Sequence, residues 1–134
     1  MKKLPASGSE IRRAAIAALE TEGADSALLS IAFVGTRAIT SLNTKYLRKR
    51  RPTDVIAFAF QNPSGGSATV GDIYICPEVA RGHARRQGVP VKQELLRLVV
   101  HGVLHTLGHD HPDSESRVNS AMWRRQEEIL ASLR

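Results

Sequence analysis

A single α+β domain is the fold class that the sequence predicts: a small mixed sheet of three or four strands, about five helices, and a metal site on a long helix. Three observations carry this. Three short apolar runs have strand length, segments of helical period lie around them, and two of the runs are separated by a loop alone, which favours an antiparallel pair. At 134 residues the chain can build one core and is too short for two, so 1–134 reads as one domain. No internal repeat or linker divides it.

The elements follow in order. Ser9, ahead of Glu10 and Ile11, is placed to cap a first helix with Ile11, Ala15, Ala18 and Leu19 as its apolar stripe and Gly23 as its end. Leu28 to Val34 is an apolar run stopped by Gly35 and reads as a strand. Thr36 then caps a helix with Ile39, Leu42 and Tyr46 on one face, halted before Pro52. Val55 to Phe60 is a second strand, and a helix between two strands suggests a right-handed parallel crossover. Gln61 to Thr69 has loop composition, and Asp72 to Cys76 supplies a third strand, expected to pair antiparallel with the second. Pro77 and Gly88 frame a basic helix, and Pro90 opens a long one bearing Leu95, Leu98, Val99 and Leu104. A last helix from Asp113 to Leu133 turns Val118, Met122, Ile129 and Leu133 inward.

Composition narrows the function classes. The sequence has no apolar run long enough to span a membrane and no basic-then-apolar leader, so the expected location is the cytoplasm. The single cysteine, Cys76, follows an apolar run and reads as a buried structural thiol. A net charge of +6 favours a polyanionic partner. Clustering strengthens that reading, because Lys45, Arg48, Lys49, Arg50 and Arg51 fall within seven residues that contain no acid, and Arg81, Arg85 and Arg86 form a second group. Aromatic residues make up only 4% of the chain, which predicts recognition of the phosphate backbone rather than stacking on bases.

The sharpest signal is histidine spacing. Four of the five histidines lie between His101 and His111. Four residues turn a helix by about 400°, so His101 and His105 project from one face roughly 6 Å apart along the axis and can share one metal ion. Gly108 can adopt the left-handed conformation that closes a helix, after which His111 can return as a third ligand. Three imidazoles with an open fourth position are the arrangement of a catalytic zinc, one per chain, and nitrogen ligands disfavour magnesium and calcium. His109, between ligand positions, reads as a packing or supporting residue. Asp110 is either a general base or an orienting partner for a ligand, and Asp54, after Thr53 at a strand start, is either catalytic or a turn residue.

The spacing of His101, His105, Gly108 and His111 is that of metzincin proteases, whose general-base Glu is replaced here by Gly102. That argues against peptidase chemistry. More of the chain resembles the YbeY family of bacterial endoribonucleases. The match rests on His101-Gly-x-Leu-His105-x-x-Gly108-x-Asp110-His111, on Leu42-Asn43 through Tyr46 to Pro52-Thr53-Asp54-Val55-x-x-Phe58, and on Gly71-Asp72-Ile73. It covers Leu42 to His111, with a weaker match from Met122 to Leu133.

The resemblance implies an α+β fold with a small mixed sheet, one zinc on His101, His105 and His111, and cleavage of single-stranded RNA. It also implies a role in ribosomal RNA maturation, at the 3′ end of the small-subunit RNA, and in ribosome quality control. The partners implied are rRNA and the small ribosomal subunit, with ribosomal proteins beside them. Two departures stand out. Many members carry Arg directly after the tyrosine, where this chain has Leu47, so Arg48 or Arg50 must substitute if that arginine acts on phosphate. The segment Met1 to Gly8 is short and polar for the family's opening strand, leaving three strands, or four if it forms an edge. The residues expected to act are therefore His101, His105 and His111 on zinc, Lys45 and Arg48 to Arg51 on RNA, and Asp110, Asp54 and Arg48 in catalysis. Attack by water and attack by the RNA 2′-hydroxyl both fit. The competing readings are a metal-stabilised ribosome-assembly factor that binds rRNA without cutting it, and a zinc peptidase.

Overall fold

The computed structural model describes residues 4–24, 26–60, 68–108 and 121–133. Its elements run α1 (Gly8–Thr21), β1 (Ala27–Phe33), α2 (Thr36–Leu47), β2 (Val55–Phe60), β3 (Thr69–Ile75), α3 (Pro77–Gln87), α4 (Val91–Thr106) and α5 (Ala121–Ser132). The predicted five helices and mixed sheet are thus present, with three strands among the described residues. The first cap lies two residues earlier than expected. Ser7 Oγ accepts from the Glu10 backbone N–H at 3.1 Å while the Glu10 carboxylate accepts from the Ser7 N–H at 2.9 Å, a reciprocal box that Ser9 cannot make. Gly35, not Thr36, is the N-cap of α2.

The strand order is β1-β3-β2, with β1 parallel and β2 antiparallel to β3. The antiparallel pair is as expected. The parallel crossover from β1 to β2 is not formed, because β3 lies between them and β1 and β2 run in opposite directions. Burial explains the order. β3 has Gly71, Ile73 and Ile75 buried on one face, and no residue of it is exposed, so it suits the centre. β1 leaves Leu28 and Ser30 exposed, and β2 leaves Ala59 and Phe60 exposed, as edge strands do.

One sheet face packs on α4, whose Leu95, Val99, Val100, Val103 and Leu104 are wholly buried. Each such side chain contributes about 1.5–3 kcal/mol by leaving water, which makes α4 the rigid axis of the molecule. α1, through Ala14 and Ala18, and α5, through Met122 and Ile129, pack against it and against each other. The opposite sheet face is partly covered by α2 through Ile39 against Ile56 and Cys76, and Cys76 is the buried thiol expected. Among the described residues no helix is long and apolar enough to cross a membrane. Val118, the start of the last helix and most of the 61–69 loop lie outside the described residues.

Candidate metal centre

Two glycines bring α4 close to the sheet. A Cβ at Gly102 would lie 2.6 Å from Ile73 Cγ2, and one at Gly71 would lie 2.7 Å from the Phe58 carbonyl oxygen and 2.8 Å from Thr106 Cγ2. Neither position has room for a methyl group. Position 102 therefore faces β3. After Thr106 the helix ends as predicted, with Gly108 at φ +96°.

His101 is 4% exposed and His105 half-buried, and their ring centroids are 5.1 Å apart. Two imidazoles on one tetrahedral zinc, with Zn–N of about 2.0–2.1 Å, have ring centres about 5 Å apart, so the pair fits a shared ion. Gln126 of α5 settles the tautomer. Its Nε2 donates to Glu127 Oε2 at 3.0 Å, which turns its Oε1 to His101 Nδ1 at 2.7 Å. An amide oxygen only accepts, so Nδ1 carries the proton and Nε2 carries the lone pair a metal needs. Gln126 is 1% exposed, and its polar group on the inward face of an amphipathic helix was a visible but unread signal. His109, Asp110 and His111 lie outside the described residues. Among the described residues no third His, Cys, Asp or Glu joins the pair.

A cavity of about 550 Å³ opens beside His101, lined also by Asp54, His83, Arg86, Arg97, Trp123 and Gln126. Asp54 holds the turn expected of it and also lines the cavity. Its Oδ1 accepts from the Val55 N–H at 2.8 Å, fixing the start of β2, while Oδ2 lies 3.5 Å from His83 Nδ1. His83, the fifth histidine, was missed because its partner is remote in sequence. Arg97 bonds Glu127 Oε2 at 2.9 Å and also Glu94. Burial works against its charge, yet the hydrogen bonds and fields of Glu127 and Glu94 outweigh it and raise the guanidinium pKa.

The basic run lies elsewhere. Arg48, Lys49, Arg50 and Arg51 are exposed, and none of them, nor Lys45, lines that cavity. Arg48 sits in the left-handed region at φ 57°, a conformation that costs an ordinary side chain about 1–2 kcal/mol. Buried Asn43 holds the turn. Its Nδ2 donates to the Arg51 carbonyl at 2.8 Å, and its own carbonyl accepts from the Lys49 N–H at 3.2 Å. The side chains of the run are thus held outward by the backbone beneath them.

A family model described as Endoribonuclease YbeY matches residues 3–134. The chain belongs to the YbeY endoribonuclease family. It is similar to the Endoribonuclease YbeY of Parafrankia sp. (strain EAN1pec), 40% identical over 114 residues that cover 78% of this chain and 70% of that one. The Aquifex aeolicus (strain VF5) relative is 35% identical over 111 residues, covering 83% and 74%. The Frankia casuarinae relative is 36% identical, and the match spans only 56% of its length. A solution structure of a Thermotoga maritima protein superposes with a TM-score of 0.61 at 26% identity, over 97% of this chain and 85% of that one. The family name places the chain among the nucleases, which are hydrolases of phosphodiester bonds.

Proposed function

We propose that this chain is a zinc-dependent endoribonuclease for single-stranded RNA, acting in the cytoplasm on ribosomal RNA at the 3′ end of the small-subunit RNA and in ribosome quality control. The observation that carries it is the His101 ring, held by Gln126 with its lone pair at Nε2, beside His105. With His111 these residues would hold one zinc, which when bound supplies a Lewis acid for a phosphoryl oxygen and for water. Gln126 keeps the proton on His101 Nδ1 and orients the ring. His83 can take the nucleophile's proton at Nε2 while Asp54 Oδ2, facing Nδ1, stabilises the resulting imidazolium. Arg86 and Arg97 line the same cavity and offset charge developing on phosphate. In this reading they take the part assigned to Arg48 on sequence grounds, and Lys45 and Arg48 to Arg51 bind the RNA backbone. Asp110 remains a second candidate base.

The test is the metal content of untagged protein, together with cleavage of a single-stranded rRNA fragment by wild type and His105→Ala. One zinc per chain and cleavage, both lost in the variant, are expected. Equal cleavage by a metal-free variant would refute the assignment. A second reading, a metal-stabilised rRNA-binding assembly factor, draws support from the distance of the basic run from the cavity. It predicts zinc and RNA binding without cleavage.

A further inference from the structure

The chain has six aromatic residues, and four of them form one group on the sheet face opposite α4. Phe58 is its hub. Its ring centroid lies 5.1 Å from Tyr46, 6.4 Å from Phe60 and 6.1 Å from Tyr74. The pairing register explains the grouping, since Ile56 is opposite Tyr74, Phe58 opposite Asp72 and Phe60 opposite Val70, all on the face that α2 covers only in part. At the margins Tyr46 is 52% and Phe60 50% exposed, and the neighbouring Leu47 is 50% exposed. A lone exposed ring is ordinary. Two half-exposed rings around a shared hub, bordered by Lys45 Nζ at 5.2 Å from the Tyr46 centroid and by the exposed cations 48–51, combine stacking faces with phosphate-binding charge.

Proteins that hold single-stranded nucleic acid without strong sequence preference combine a cationic track for the backbone with aromatic rings on which bases stack. We propose that Tyr46 and Phe60 form a base-stacking surface for single-stranded RNA, with Lys45 and the cations 48–51 holding its phosphates. This rests on the reading of the chain as an RNA-acting protein, and it revises the expectation, drawn from low aromatic content, that only phosphates are read. Charge selects the occupant, because a basic rim around apolar rings matches a polyanion with flat apolar bases better than an apolar protein face. β2 carries Phe60 at one end and is preceded at the other by Asp54, which lines the cavity, a span of about 20 Å along an edge strand.

The experiment uses the full zinc-loaded chain and two cleavage-resistant strands of equal length, an oligoadenylate carrying 2-aminopurine and an abasic strand with the same backbone. Tyr46→Leu and Phe60→Leu keep apolar bulk and remove the ring. Wild type is expected to bind the oligoadenylate more tightly than the abasic strand and to quench 2-aminopurine. Each leucine variant should weaken oligoadenylate binding about ten-fold, reduce the quenching and leave the abasic strand's affinity unchanged. Phe60→Tyr should retain wild-type affinity. Leucine variants that bind the oligoadenylate as wild type does, or that lose both strands equally, overturn the stacking surface alone. A dimer dissolved by the leucine variants with RNA affinity unchanged also overturns it, by making this face a contact between two copies. Wild type that binds neither strand overturns both this inference and the proposed function.

Discussion

Gln126 is the residue on which the metal assignment turns, because it fixes both the orientation and the tautomer of His101. Gln126→Leu fills the same buried space but leaves His101 Nδ1–H without its acceptor. Zinc affinity in a chelator competition should fall about 10- to 100-fold with the helix content unchanged; an unaltered affinity would mean that Gln126 is only packing. His83→Ala should lower kcat for RNA cleavage by about 10²- to 10⁴-fold while zinc content stays at wild type, since His83 is argued to move a proton and not to hold the ion. His101 and His105 were legible in the sequence because a four-residue spacing on a helix is a local property. His83 was not, because its meaning comes from Asp54, which meets it only once α3 packs beside the start of β2.

Among the elements, α4 depends on its close approach to β3. Gly102→Ala puts a methyl group against Ile73 and should destabilise the fold by about 1–3 kcal/mol in denaturant titration. Gly102→Glu should fail to fold rather than inhibit cleavage by repelling phosphate, since position 102 faces the sheet. At α1, the carboxyl of Glu10 is held below its usual value, first by the Ser7 backbone N–H and then by Lys92 at 2.9 Å. A lowered folded-state pKa stabilises α1 above the ordinary glutamate value of about 4.3 and loses that contribution as pH falls through the folded value. Chemical shifts of α1 amides should report its fraying below that pH in wild type, and Glu10→Gln should remove the pH dependence. Strand and helix positions were legible from period and turn residues. The strand order was not, because the choice of β3 as the central strand is made by burial on both faces, which only the assembled sheet reveals.

At the scale of the molecule, the histidine pair with its cavity and the cationic run are separate regions, so they should fail separately. Replacing Arg48, Arg50 and Arg51 together by Ala should reduce the slope of log affinity against log salt for single-stranded RNA by about 2 while zinc remains bound. An unchanged slope would make the run a solvated surface. The family and the basic character were legible from motifs and charge, whereas the separation of the cationic run from the cavity required the tertiary structure. The central claim is that RNA cleavage depends on an ion held by the histidines of α4. It is tested most directly by stripping the untagged protein with a chelator, restoring zinc in steps and measuring cleavage of one single-stranded rRNA fragment at each occupancy. The account predicts no cleavage without zinc and a rise in proportion to occupancy, ending at one ion per chain. Cleavage by the stripped protein at the restored rate would contradict it.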